Sequence, residues 1–219
     1  MTMRSILSLS LLAMAACGSC ADWPQFMGPS MDATSPETGI LRSWPAEGPE
    51  VLWTAPLGKG YAGPAVKDGK VYVLDRVDET EDVLRCLSLQ TGDELWSFAY
   101  ETQGKLGQPG SRTVPAVDDE RIYTCGPLGD VYCLDLSTHR PLWKANVWRD
   151  FGGGKMPMWC IAQNPLLYGD VVIIAAQTPT TGVVAFDKKT GAVRWASPTL
   201  PGRPGYVSPT VVTIDGVDQ

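Results

Sequence analysis

An eleven-residue block recurs three times without a gap: CLSLQTGDELW over 86–96, CLDLSTHRPLW over 133–143 and AFDKKTGAVRW over 185–195. In each copy a small residue (Cys86, Cys133, Ala185) stands five places before a Thr, and that Thr five before a Trp. The prolines Pro64, Pro115, Pro165 and Pro209 mark equivalent places between the copies. A period of roughly 45–50 residues made of short apolar runs and turn residues is the signature of a propeller or related array.

Each repeat reads as four short strands. In the first, residues 63–66, 71–74, 83–89 and 94–99 are the strands, with Asp68-Gly69 and Thr91-Gly92 in turns. The second uses 114–117, 122–125, 131–136 and 141–145, and the third 165–167, 171–175, 182–187 and 192–196. The run VVII at 171–174 is apolar on both faces, as expected where sheets stack face to face. Trp96, Trp143 and Trp195 are large enough to cover the contact between neighbouring wedge-shaped sheets. Gly92 and Gly191 supply a positive φ in the turn after each Thr (Thr91, Thr190), and His139 replaces that glycine in the second copy. Trp53, in VLWTA at 51–55, reads as the last strand of a blade whose first three strands are not in front of it. A fourth repeat opens at Ser208-Pro209, and the sequence stops where its second strand is expected to begin. The expectation is therefore an all-β propeller of four-stranded antiparallel blades, incomplete, with about three full blades and parts of others.

Residues 1–21 read as an export leader: Arg4, an apolar stretch over 6–16, and Ser19-Cys20-Ala21 as a small-x-small cleavage site. A second reading of the same stretch is a lipobox, Met14-Ala15-Ala16-Cys17, with a lipid anchor on Cys17. Both readings export the chain to the periplasm or outer membrane. The organisation expected is a leader over 1–21, an N-terminal extension over 22–50 and the partial propeller over 51–219. The leader is too short to span a bilayer.

Cys86 and Cys133 fill the register that Ala185 fills in the third copy, so Cys86, Cys125, Cys133 and Cys160 read as buried free thiols. If Leu128-Gly129 is the hairpin turn, Cys125 stands opposite Tyr132 and on the other face from Cys133. A formal net charge of −6 with no basic run argues against nucleic acid as a partner.

The pattern small-apolar-D-x-x-T-G-x-x-x-W resembles the PQQ-like β-propeller repeat family, found in quinoprotein dehydrogenases and in the outer-membrane-protein assembly lipoprotein. DWPQFMGP at 22–29, LRSWPAEGPEVLW at 41–53, GPLGDVYCLD at 126–135 and VSPTVVTIDGV at 207–217 resemble a subgroup of exported bacterial members. The resemblance implies a piece of a ring of about seven or eight blades. It implies fold more strongly than activity, because one fold hosts many functions.

In the dehydrogenases of that family the quinone lies beneath a ring of two adjacent bonded cysteines and above a Trp, with calcium on Glu, Asn and Asp. This chain has no Cys-Cys pair and no Asp-rich oxygen cluster. No cofactor is expected on that account, and pyrroloquinoline quinone with calcium belongs only to the alternative, a quinoprotein oxidoreductase. Phe151-Gly152-Gly153-Gly154-Lys155 lacks the spacing and the following Ser or Thr of a phosphate loop. His139 is the sole histidine and lies in a turn, which leaves no zinc-histidine site or Ser-His-Asp triad. Asp118-Asp119-Glu120 reads as a solvated turn, and Asp135 and Asp187 as residues that bond turn backbone.

What remains is a surface. Loops before the first strand of each blade gather at one mouth of the axial channel, where Arg112, Trp159, Gln163, Asn164, Arg203 and Tyr206 are the candidate contact residues. The function expected is a non-catalytic binding or scaffold module of the cell envelope with a protein or glycan partner.

Overall fold

A computed structural model describes residues 21–219 apart from 103, 105 and 203, so the leader with Cys17, and Arg203, lie outside the described residues. The three repeats form three separate four-stranded antiparallel meanders. Blade one is β1 (Ala65–Lys67), β2 (Lys70–Val77), β3 (Glu81–Ser88) and β4 (Glu94–Glu101). Blade two is β5 (Ala116–Val117), β6 (Arg121–Cys125), β7 (Asp130–Asp135) and β8 (Pro141–Asn146). Blade three is β9 (Leu166–Tyr168), β10 (Val171–Ile174), β11 (Thr181–Asp187) and β12 (Val193–Pro198). A hairpin of β13 (Thr213–Ile214) and β14 (Val217–Asp218) follows.

Blade two is buried on both faces. One face packs Ile122 and Leu134 against Tyr72, Leu74, Leu84 and Cys86 of blade one. The other packs Tyr123, Cys125, Val131 and Cys133 against Val172, Ile174, Val184 and Phe186 of blade three. Period-two alternation is lost in β10, whose two faces join two apolar clusters, and in β2, where the buried run includes Asp75 and Arg76; it is partly kept in the outer strand β4.

The repeated block has a specific cross-strand geometry. Cys86 pairs with Trp96, Cys133 with Trp143 and Ala185 with Trp195, and in each blade the register shifts by a bulge at the next residue. A large side chain opposite the indole would compete with it for the same face, which is why that register takes only Cys or Ala.

Residues 51–55 pair with no strand among the described residues. Two expectations change. The fourth repeat already contains its second strand: Asp215-Gly216 turns β13 into β14. The hairpin between β6 and β7 closes through a Gly126–Asp130 turn, so Cys125 faces Val131 and Tyr132 faces Thr124. This one-residue difference puts Cys125 and Cys133 on the same buried face. All four cysteines of 86, 125, 133 and 160 are buried free thiols. Burial pushes the Cys86 thiol up to about 11 and Cys133 up to about 12, so neither is a nucleophile near neutral pH.

Candidate functional site

Each docked tryptophan sits on the turn of the following blade. The Trp53 indole N–H donates to the Leu89 carbonyl at 2.9 Å, and a Cβ on Gly92 would stand 2.6 Å from its ring. The Trp143 indole N–H donates to the Lys188 carbonyl at 2.9 Å, and a Cβ on Gly191 would again stand 2.6 Å from the ring. Gly92 and Gly191 both have φ above +70°, so they answer a left-handed turn and a close approach together. Trp96 stacks on His139, the residue in the equivalent left-handed position at φ 58°. Trp195, the last of the series, is 46% exposed, against 9% for Trp143.

The turns themselves are held by local caps. Asp187 Oδ1 accepts the Thr190 N–H at 2.8 Å and its hydroxyl at 2.9 Å. Asp135 does the same for Ser137 and Thr138. These bonds hold both carboxyls down to about 2. In blade one Ser88 takes that register, and its hydroxyl accepts the Thr91 N–H at 3.1 Å, while the Thr91 hydroxyl bonds Asp93. Asp118 is more than a solvated tip: it accepts the Glu120 and Arg121 N–H groups and lies 3.8 Å from Lys188 of blade three.

At the mouth, counting three residues back from Pro64, Pro115, Pro165 and Pro209 gives Tyr61, Arg112, Ala162 and Tyr206. All four line one cavity of about 610 Å³, and with Trp159 and Gln108 they line an adjoining one of about 400 Å³. The Arg112 guanidinium lies 5.5 Å from the Tyr61 ring centroid and donates to the Gly110 carbonyl at 2.6 Å. It has no carboxylate within ion-pair distance among the described residues. The Tyr206 hydroxyl accepts the Trp159 N–H at 3.3 Å, which ties the two aromatic residues together at the rim.

Two expected contact residues turn inward. Gln163 is 1% exposed, its amide nitrogen bonded to Gln177. Asn164 is 6% exposed; its oxygen accepts the Val114 N–H at 2.6 Å and its nitrogen donates to Ser208 at 2.8 Å. Val114, Asn164 and Ser208 each precede a repeat proline, so this chain of bonds fixes three consecutive blade entries to one another. Tyr61 was hidden from a strand-by-strand reading because its signal lies in the offset from Pro64. Phe26, Met27 and Met31, which line the larger cavity, come from the N-terminal segment and carry no repeat signal.

A protein-family model matches residues 79–216, more than half of the chain: the PQQ-like repeat family described as outer membrane protein assembly factor BamB. The chain belongs to this family. A quinohemoprotein alcohol dehydrogenase from Comamonas testosteroni is similar in structure, with 20% identity and a TM-score of 0.55 over 84% of this chain and 28% of that one. A europium-containing methanol dehydrogenase gives 21% identity and a TM-score of 0.50 over 68% and 27%. The computationally designed Ika4 protein gives 13% and 0.52 over 78% and 90%. These likenesses show the fold alone, a β-propeller. The chain spans about a quarter of the length of the two dehydrogenases. No curated protein matches the sequence.

Membership in a PQQ-like family raises the question of the quinone. The cavity is lined by no Asp or Glu among the described residues, and the Asn164 oxygen is committed to Val114. A calcium-held quinone needs anionic oxygen donors, and these residues do not supply them.

Proposed function

We propose that this BamB-type propeller is an exported, non-catalytic binding module of the cell envelope, with a protein or glycan partner engaged at the mouth. The leader over 1–21 and the propeller that follows it are part of this reading. The observation that carries it is the Arg112 guanidinium, unpaired by any carboxylate among the described residues and framed by Tyr61, Trp159 and Tyr206. A cation over one aromatic face, in a cavity with two more aromatic side chains, favours in an acidic protein a partner that brings an anionic group beside an apolar one. The bonds through Asn164 make the rim rigid, which lowers the entropy lost on binding.

A photo-cross-linking amino acid at Trp159 in the full chain, expressed in a bacterial envelope, tests the reading. The expected result is one discrete adduct that Arg112→Glu abolishes and that is absent when the cross-linker stands at Leu95. Equal adducts from both positions would contradict it. Retention of added quinone with calcium, together with reduction of an artificial electron acceptor, would contradict the non-catalytic part.

A further inference from the structure

The inner edge strand of a blade leaves N–H groups pointing at the propeller axis, and each needs an acceptor. Val66, Val117 and Leu167 each stand two residues after a repeat proline, in β1, β5 and β9. Their amides meet successive residues of one segment. The Val66 N–H donates to the Trp23 carbonyl at 2.9 Å, and the Trp23 N–H returns a bond to Val66 at 2.7 Å. The Val117 N–H donates to the Pro24 carbonyl at 2.8 Å, and the Leu167 N–H to the Gln25 side-chain oxygen at 3.3 Å. One step earlier, Asp22 accepts the Asp68 N–H at 3.0 Å and lies 3.7 Å from Lys67.

The segment then folds back on itself. Gly28, at φ +79°, lies so close to the Trp23 ring that a Cβ there would stand 2.9 Å from it. This hook turns Phe26, Met27 and Met31 toward the mouth, where they line the larger cavity. Met31 also packs on the cluster of Leu166, Ile173 and Ala185 in blade three, alongside Val211.

We infer that residues 22–31 form an axial strap that fastens blades one, two and three at equivalent positions and closes the mouth cavity from beneath. Trp23, Pro24 and Gln25 answer blades one, two and three in turn, so this stretch is matched to the repeat rather than to any single sheet. Pro24 needs only its carbonyl here, which accepts the Val117 N–H, so the N–H that proline lacks is not used in the fastening. Fastening requires nothing of the mouth; the role of Phe26, Met27 and Met31 as a floor that limits the size and polarity of what enters rests on the binding reading proposed above.

Amide hydrogen exchange on the full chain tests the fastening, and an anionic apolar dye, 8-anilinonaphthalene-1-sulfonate, tests the floor. In the unmodified protein the Val66, Val117 and Leu167 amides are expected to exchange at least about 100-fold slower than free amides. Gln25→Ala is expected to release Leu167 while Val66 and Val117 keep their protection, and Trp23→Ala to release all three. Fast exchange at Val66 and Val117 in the unmodified, folded protein would overturn the strap. So would a Gln25→Ala protein whose Leu167 amide is unchanged. The dye is expected to bind, and Phe26→Asp to weaken it at least about fivefold by setting like charges together, with Val66 still protected. Equal dye binding by both proteins would overturn the floor. Protected amides with no dye binding at all would leave the strap standing and count against the mouth as a binding site.

Discussion

Trp96 and His139 lie face to face, with ring centroids 4.5 Å apart and planes within 16°. His139 holds the left-handed backbone position that Gly92 and Gly191 hold in the other blades. The second repeat thus exchanges a conformationally free residue for one that offers Trp96 a partner. Replacing His139 with Ala keeps the backbone strain and removes the stack, for an expected loss of about 0.5–1.5 kcal/mol in urea unfolding.

Trp143 and Trp195 are the same residue of the repeat in different surroundings. Trp143→Ala removes a buried ring seated between Tyr123 and Phe186 and is expected to cost about 3–5 kcal/mol. Trp195→Ala is expected to cost under about 1 kcal/mol, because that ring is half-exposed and has no following turn beneath it among the described residues. Equal shifts in the urea midpoint would contradict the docking pattern.

Glycine substitutions separate backbone strain from close approach. At Gly216, φ +77°, a Cβ would meet nothing within 4 Å, so Gly216→Ala carries only the left-handed penalty of about 1 kcal/mol. Gly191→Ala adds overlap with the Trp143 ring and is expected to cost about 3 kcal/mol or more. Thermal melts of the two variants give the comparison.

Stability against pH has contributions of opposite sign. The bonds from Ser137 to Asp135 and from Thr190 to Asp187 hold those carboxyls at about 2, below the ordinary 3.8. Their contribution is present above pH 3.8 and is lost as pH falls through about 2. Burial pushes Asp82 up to about 6, against the pull of Arg76 at 2.7 Å. Its contribution is full below pH 3.8 and is lost as pH rises through about 6. Asp187→Asn is therefore expected to flatten the melting temperature at the acid end only. Asp82→Asn is expected to remove a decline between pH 4 and pH 6, read from melts at half-unit pH steps.

The fold was legible because its signals are local and repeated: an indole, a turn glycine and a small residue at constant spacing state the blade directly. The Gly126–Asp130 turn was misplaced because glycine stands at both ends of the stretch 126–129, and either choice closes a hairpin; only the buried face of Tyr123 and Cys133 decides it. The mouth was legible in part. Arg112, Trp159 and Tyr206 flank the blade entries in sequence, but Gln163 and Asn164 share that location and are consumed by bonds to Gln177, Val114 and Ser208. Which polar residue faces the cavity is a question of tertiary hydrogen bonding, and spacing does not carry it. The role of Trp23 was invisible for the same reason, since the partners of its segment lie in three different repeats.

The most direct test is a set of nuclear Overhauser contacts from the indole protons of Trp53, Trp96 and Trp143. The account predicts contacts to Gly92, His139 and Gly191 respectively, each on the following blade. Indoles that show contacts only within their own blade, or to none of these turns, would contradict it.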